Sequence, residues 1–188
     1  MSIKIEKMPQ SKCYELYLDS HLFCSFHKEI FLRPNELLGF DDQELEANFL
    51  SIEIEKSRFF AYKKLAYKAL SSFSLIKLLS ERLVSKECQK ILMDELIQKK
   101  YIDDNFFMES YFESMIAKQY GPNKILAKLR QKDFPLTVLR NFSYRFYPNS
   151  LENEVVEAFL SKRPPPKNLK ERQALFSLLT RRGFNSTS

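Results

Sequence analysis

The feature that most constrains the fold of this chain is the recurrence of the same residue types at an interval of 50 positions. Residues 70–85, 120–135 and 170–185 align without a gap. The matching columns, given in chain order, are Leu75, Ile125 and Leu175; Ile76, Leu126 and Phe176; Leu79, Leu129 and Leu179; Val84, Phe134 and Phe184; and the basic Arg82, Lys132 and Arg182. One such column would be chance, whereas several in constant register indicate an internal repeat.

Helical periodicity predicts the helices that each copy contains. The predicted helices span about 54–70, 74–84 and 86–99 in the first copy, 104–119, 122–132 and 135–146 in the second, and 150–162 and 168–182 in the third. We therefore predict three-helix repeats over 53–100 and 101–148, and a third repeat over 149–188 that lacks its last helix. In each middle helix, the columns that start at positions 75, 76 and 79 are expected to face the core.

Local sequence signals mark the expected helix boundaries. These signals are Gly121-Pro122 as a helix stop followed by a first-turn proline, Asn149 with Glu152 and Asn168 with Glu171 as capping boxes, Pro135 as a helix start, and Pro164-Pro165-Pro166 as a stiff joint. The closing residues 185–188 are interpreted as the end of the shortened third repeat.

The first 26 residues have a different pattern, because apolar and polar side chains alternate from residue 3. Asp19-Ser20 offers a turn, so we predict a small antiparallel hairpin or three-stranded sheet. Pro34 and Gly39 delimit a one-turn helix, and Asp41 or Asp42 can cap the helix that follows. The expected fold class is mainly α, with tandem three-helix, helix-turn-helix-like repeats in an elongated array after an N-terminal β domain with short helices over 1–52.

Composition bounds the class of protein. The 188-residue chain is 44% hydrophobic and 29% charged, as is typical of a soluble globular protein. No apolar run approaches the roughly 18 residues that a membrane span needs, and the N-terminus lacks the apolar core of a signal peptide. The three cysteines are an odd number without a C-x-x-C pair, and we expect free thiols in a reducing compartment. These features predict a cytoplasmic protein.

Sequence motifs for catalysis and cofactor binding are missing. The three glycines are isolated, which excludes a P-loop and a dinucleotide-binding fingerprint. His21, Cys24 and His27 have the residue types of metal ligands, but no second cluster completes a four-ligand zinc site. The doublets Asp41-Asp42 and Asp103-Asp104 stand at predicted helix starts, where capping explains them. We expect no enzymatic activity, no metal and no cofactor.

The net charge of +6 is unevenly distributed. Residues 1–50 carry five basic and nine acidic side chains, so residues 51–188 carry a net charge of +10. A basic body favours a polyanionic partner, most often nucleic acid, or an acidic protein surface. An alternative that the pattern leaves open is that repeated helices expose solvated charge opposite their core stripe.

The basic residues of the middle helices are the candidate binding residues. Lys and Arg on a short second helix after a tight turn are typical of helix-turn-helix modules, which place that helix on DNA. Phosphate contacts would give salt-sensitive binding with little dependence on base sequence. The residues predicted to contact a partner or DNA are Lys77, Arg82, Lys124, Lys128, Arg130, Lys132, Arg181 and Arg182.

The order and spacing of the motifs in residues 101–134 resemble the central repeat of the RecX family, which regulates the RecA recombinase. The family pattern is an Ile-Asp-Asp start, a Tyr/Phe-rich helix, a Gly, then Ile-x-x-x-Leu-Arg and a Lys-Gly-hydrophobic end. The matching residues are Ile102-Asp103-Asp104, Phe107, Tyr111, Gly121, Ile125, Leu129-Arg130 and Lys132-Asp133-Phe134. The run LLTRRGF at 178–184 is similar to the closing motif of the third repeat, and residues 12–32 are similar to the hairpin of longer members.

The chain also departs from the family pattern. Asp133 stands where a Gly is usual, and the first repeat lacks the Arg and Glu that commonly surround its Ser and Leu. The third repeat has no third helix, which either weakens the C-terminal module or leaves its apolar face for a partner.

The resemblance implies a non-enzymatic inhibitor that lies in the groove of the RecA filament on single-stranded DNA. It implies suppression of ATP hydrolysis, strand exchange and coprotease activity, and a role in DNA repair and the SOS response. The expected protein is a monomer without a membrane partner. The alternative is a transcriptional or architectural helix-turn-helix protein that binds nucleic acid directly.

Overall fold

The computed structural model describes residues 2–185, with the backbone alone at Tyr144. Three strands form a sheet, β1 (Ile3–Lys7), β2 (Cys13–Leu18) and β3 (His21–His27), and a 3₁₀ helix follows at Pro34–Gly39. The α-helices are α1 (Asp42–Tyr67), α2 (Ser72–Ser80), α3 (Lys86–Gln98), α4 (Asp104–Ala117), α5 (Pro122–Arg130), α6 (Leu136–Phe146), α7 (Asn149–Leu160) and α8 (Leu169–Arg182). The predicted fold class, mainly helical with a small N-terminal sheet, is confirmed.

The sheet is antiparallel in the order β1-β2-β3. Asp19 and Ser20 join β2 to β3 with positive φ angles of 46° and 68°. Positive φ at both central residues is the geometry of a type I′ turn, whose twist matches that of the flanking strands. Of the two arrangements left open by the sequence, the chain forms the three-stranded sheet.

The sheet and the helices of the first compact unit, which ends at Asp103, share one hydrophobic core. Leu16 and Phe26 from the sheet lie in the same buried cluster as Leu75 and Leu79 of α2. The 26-residue helix α1 packs against α3 beside this cluster. A small sheet is marginal by itself, so its burial under helices explains why it forms.

The second compact unit begins at Asp104 and contains α4 to α8. Helix α5 packs against α4 and α6 and buries Ile125 and Leu129 completely. Val155 and Val156 of α7 form a cluster with Phe184, which follows α8. The predicted repeat boundaries at 52, 100 and 148 stay predictions.

The recurring register is visible in the backbone at the ends of the three middle helices. Leu83, Asp133 and Gly183 all have left-handed backbone, with φ angles of 59°, 67° and 92°. This conformation ends a helix and returns the next amide to a carbonyl one turn back. The amide of Val84 donates to Leu79 O at 3.1 Å, and the amide of Phe184 donates to Leu179 O at 3.2 Å. The column of Val84, Phe134 and Phe184 is buried in all three copies.

One predicted core column is not buried. Ile76 is 38% exposed and Phe176 is 55% exposed, while Leu126 is half-buried. The column lies one residue, or about 100° around the helix, from the column that starts at Leu75. The expectation that it faces the core was therefore wrong.

The capping predictions have different outcomes at different helices. Asp41 caps α1, since its Oδ1 accepts from the amide of Gln43 at 2.8 Å, and α1 starts at Asp42 rather than near residue 54. Asn168 caps α8 by accepting from the amide of Glu171 at 2.9 Å, as predicted. The other predicted capping box, at the start of α7, does not form.

The capping box expected at the start of α7 involved Asn149 and Glu152. Pro148 instead stands at the N-cap of α7 and makes no side-chain capping bond. Glu152 is buried, and its carboxylate accepts from Asn185, which lies just after α8. The glutamate therefore joins two helices rather than capping its own.

An ion-pair network ties α1 to α3 in the first unit. The guanidinium of Arg58 donates to the carboxylate of Glu95 through Nε at 3.0 Å and through Nη2 at 2.8 Å. Lys99 donates to the same carboxylate at 2.7 Å, and so does the hydroxyl of Tyr62 at 3.3 Å. The hydrogen bonds from Arg58 and Lys99 lower the pKa of Glu95 from 4.5 to about 2.

Candidate partner-binding surface

The two compact units differ in charge. Residues 1–103 contain sixteen basic and sixteen acidic side chains, whereas residues 104–188 contain fourteen basic and eight acidic ones. The second unit therefore carries the whole net charge of +6. A candidate surface for an acidic partner belongs on this unit more than on the first.

Helix α5 presents several of these cations because its apolar stripe fixes which side faces the solvent. Ile125 and Leu129 are fully buried, so the opposite side of the helix faces the solvent. Lys124 and Lys128 lie one turn apart at one edge of that side, and Arg130 lies at the other edge. Within the described residues, none of these three cations has a carboxylate partner within 4.0 Å.

The C-terminal end of α8 meets the N-terminal end of α5. The amide of Gly121 donates to Arg182 O at 3.0 Å, and the amide of Asn123 donates to Gly183 O at 3.0 Å. Amides at a helix start commonly bind phosphate or other anions. Here the carbonyls of the chain occupy two of them, so α5 offers a partner its side-chain cations.

This close approach depends on two glycines that are far apart in the sequence. A Cβ at Gly121 would overlap the backbone of Gly183 and Phe184, and a Cβ at Gly183 would overlap Lys124. Gly121 was predicted to stop a helix, which was wrong. Helix α4 is instead followed by the left-handed Gln119, while Gly121 has an ordinary φ of −78° as the N-cap of α5. No local pattern in the sequence reveals such a contact.

Arg182, a predicted site residue, is engaged by the protein itself. Its Nη1 donates to the carbonyls of Lys118 at 3.0 Å and Gln119 at 3.2 Å, at the end of α4. Its guanidinium lies 4.8 Å from the ring centroid of Phe159 and 5.3 Å from that of Tyr120. These contacts give Arg182 a structural role in joining α8 to α4.

Arg82 occupies the matching position of the first copy and is also engaged internally. Its Nε donates to the carboxylate of Glu29 at 2.8 Å, and its Nη1 donates to Leu78 O at 2.9 Å. Its side chain is 15% exposed, and its guanidinium lies 5.0 Å from the ring centroid of Phe60. The hydrogen bond from Arg82 lowers the pKa of the Glu29 carboxyl.

Of the other predicted site residues, Lys128 is half-buried and the rest are exposed, but they do not all belong together. Lys77 lies on α2 of the first unit, and Lys132 follows α5 in the second. Arg181 lies at the end of α8, close to Gly183, whose carbonyl accepts from the amide of Asn123 in α5. The second unit therefore brings one end of α8 to the basic side of α5. The assignment of all eight residues to a partner contact stays a prediction.

Tyr120 is an organising residue that the sequence pattern did not single out. The ammonium of Lys128 lies 5.8 Å from its ring centroid, and Arg182 contacts the same ring. Its carbonyl accepts from the hydroxyl of Tyr147 at 3.1 Å. A half-buried aromatic ring beside two cations holds their side chains in place. In the sequence, its position directly before Gly121 was the one feature that could have identified Tyr120.

The described residues contain no candidate metal site. No group of three His, Cys, Asp or Glu side chains converges within them. Burial raises the pKa of Cys24 to about 12 and that of Cys88 to about 11, so both thiols stay protonated at neutral pH and are poor nucleophiles. Within residues 2–185, no helix combines the length and the apolar composition required to cross a bilayer.

Solved structures share this fold. The crystal structure of a regulatory protein RecX matches 99% of this chain and 95% of its own chain, with a TM-score of 0.59 and 22% sequence identity. A RecX crystal structure from Lactobacillus salivarius matches 71% of this chain and 90% of its own, with a TM-score of 0.60 and 19% identity. No protein-family model and no curated protein matches the sequence. The chain has the fold of these RecX structures, as its sequence resemblance predicted.

Proposed function

We propose that this protein is a RecX-type regulator that binds RecA filaments on single-stranded DNA and lowers their ATP hydrolysis, strand exchange and coprotease activity. The observation that carries the proposal is the match of nearly the whole chain to a RecX structure. The order of motifs in residues 101–134 supports it independently of the fold. The protein acts in the cytoplasm by binding rather than by catalysis, as a monomer and without a cofactor.

The charge of the second unit supports an acidic partner. Its fourteen basic side chains outnumber eight acidic ones, and Lys124 and Arg130 are exposed on α5 without a carboxylate partner among the described residues. Exposed cations of this kind steer association with phosphates or acidic protein surfaces. The binding should therefore weaken as salt screens the charges.

The test is a titration of this protein into a reaction in which RecA hydrolyses ATP on single-stranded DNA. We expect progressive inhibition that weakens as salt rises from about 50 to about 200 mM. A basic protein of similar size and charge serves as the control, and equal inhibition by that protein would contradict the proposal. A base-specific footprint on duplex DNA without RecA would support the nucleic-acid-binding alternative instead.

Charge reversal on α5 tests which surface makes the contact. We expect Lys124→Glu with Arg130→Glu to raise the inhibitory concentration by at least about tenfold, because both cations change to repulsive charges. The matched control is Lys63→Glu with Lys90→Glu, which makes the same change of charge at exposed positions of the first unit. Circular dichroism checks that both variants keep their helices. Equal loss of inhibition in the two variants would refute the assignment to α5.

A further inference from the structure

A cavity of about 790 Å³ lies in the first compact unit, between the segment 30–40 and one side of α1. We call it the α1 cavity. Its floor is formed by Ile30, Phe31 and Leu37, which are buried and belong to the hydrophobic core of this unit. The floor is therefore part of a close-packed interior. The volume falls within the range of about 300–1,000 Å³ that is typical of small-molecule sites.

The walls of the α1 cavity are largely aromatic. Ile52, Phe59 and Tyr62 line it from α1, and their spacing of seven and three residues places them on one side of that helix. Phe40, which follows the 3₁₀ helix, also lines the cavity. Phe59 is 60% exposed, and Leu32 in the segment 30–40 is 57% exposed. Exposed apolar side chains are usually scattered singly, whereas these two border the same cavity.

The charged residues of the α1 cavity are paired with carboxylates or with cations of the same unit. Arg33 and Lys56 both approach the carboxylate of Glu36, at 3.6 and 3.5 Å. Lys56 also lies 3.9 Å from the carboxylate of Glu55. The third cation, Arg58, donates to the carboxylate on α3 described above. Each cation that lines the cavity therefore has a counter-charge already in place.

This pairing indicates the charge of a suitable ligand. An ionic ligand would compete with a counter-charge of the protein, and it would leave that group without its partner. An uncharged ligand leaves the pairs intact and gains from the apolar walls and floor. The aromatic rings of the walls favour a ligand that itself contains an aromatic ring, because such rings pack well in offset or edge-to-face arrangements.

We propose that the α1 cavity is a binding site for an uncharged aromatic small molecule. The ligand packs its ring against Phe59 and Tyr62, and the rest of its surface covers the buried floor. The inference goes beyond the proposed regulation of RecA and does not depend on it.

The test measures the binding of a fluorescent dye to the full chain under reducing conditions. N-phenylnaphthylamine is an uncharged aromatic molecule that brightens when it enters apolar surroundings. We expect saturable binding that Phe59→Asp weakens by at least about tenfold, because the variant replaces a ring of the wall with a charge. Phe59 is mostly exposed, so the variant should stay folded, which circular dichroism checks.

The matched control is Ile97→Asp, which introduces the same charge in the same unit. Ile97 is 52% exposed and is not among the residues that line the α1 cavity. This variant should bind the dye as the unaltered chain does. The inference is overturned if the dye shows no saturable binding, or if Phe59→Asp and Ile97→Asp have the same effect. It is also overturned if sedimentation shows a dimer that Phe59→Asp dissociates, because the occupant is then a second copy of the chain.

A second dye tests the argument from charge. Anilinonaphthalene sulfonate has the same ring system with an added sulfonate. Glu36→Gln removes the carboxylate that Arg33 and Lys56 share, so it should strengthen binding of the sulfonate by at least about threefold and leave the uncharged dye unchanged. Unchanged binding of the sulfonate would show that the pairing does not select an uncharged ligand, and would overturn the assignment of ligand class.

Discussion

Helices α2 and α8 have the same apolar pattern and different surroundings. In α2, which packs against α3, Leu75 and Leu79 are fully buried, while Leu175 and Leu179 of α8 remain half-buried. The pattern of a helix therefore identifies the side that will be covered, but the extent of burial depends on the neighbouring helices.

The largest expected effect comes from shortening the leucine that α2 and α8 share at one register position, Leu79 and Leu179. Leu79→Ala should reduce the free energy of unfolding by about 3–5 kcal/mol, since it opens a cavity in a closed core. Leu179→Ala should cost only about 1–2 kcal/mol, because the side chain is already partly in contact with water. Urea denaturation followed by circular dichroism measures both, and equal losses would show that α8 is covered in solution.

A smaller effect is expected where the second unit differs from the first at the start of the middle helix. The N-cap of α2 is Ser71, whose side chain accepts from the amide of Ser74 at 3.1 Å, whereas the N-cap of α5 is Gly121. Gly121→Ala should cost about 1–3 kcal/mol, since the added methyl group would overlap the backbone of Gly183. The control Gly39→Ala, where a Cβ meets nothing within 4 Å, should change stability by less than about 0.5 kcal/mol.

The smallest effect concerns the ion-pair network of the first unit. The pKa of Glu95 is lowered from 4.5 to about 2. The stability that this ionised carboxylate gives to the fold is therefore complete above the ordinary pKa of 4.5, and it is lost as the pH falls from there towards 2. Glu95→Gln should remove about 1–2 kcal/mol at neutral pH, an estimate reduced for the partial exposure of Arg58 and Lys99. The variant should also show a flatter loss of stability between pH 5 and pH 2 in acid titrations. An unchanged acid profile would assign that loss to other carboxylates.

The order of helices and most of the core could be predicted from the sequence because both depend on local patterns. Leu75, Leu79 and Val84 recur at helical spacing in each copy, and the same residue types give the same buried positions in the first two copies. The turn at Asp19-Ser20 and the cap at Asn168 also rest on neighbouring residues. Such features need no knowledge of distant contacts.

The candidate site could be predicted only in part, because a cation at a helix end has several possible partners. Arg82 and Arg130 are both basic residues near the ends of short helices, yet one binds Glu29 and the other is exposed. Arg182 contacts the end of α4 and the ring of Phe159, neither of which is near it in the sequence. The choice between partner, solvent and internal contact is made by tertiary packing, which no single stretch of sequence encodes.

The contact between the two glycines has a consequence for the order of folding. The amides of Gly121 and Asn123 gain their acceptors only when residues 182 and 183 have been synthesised and α8 has docked. We expect the first turn of α5 to leave the ribosome incomplete and to close late, after most of the second unit has formed. In the finished protein, slow hydrogen exchange at Asn123 would report whether the last helix is in place, although that helix begins more than forty residues further along the chain.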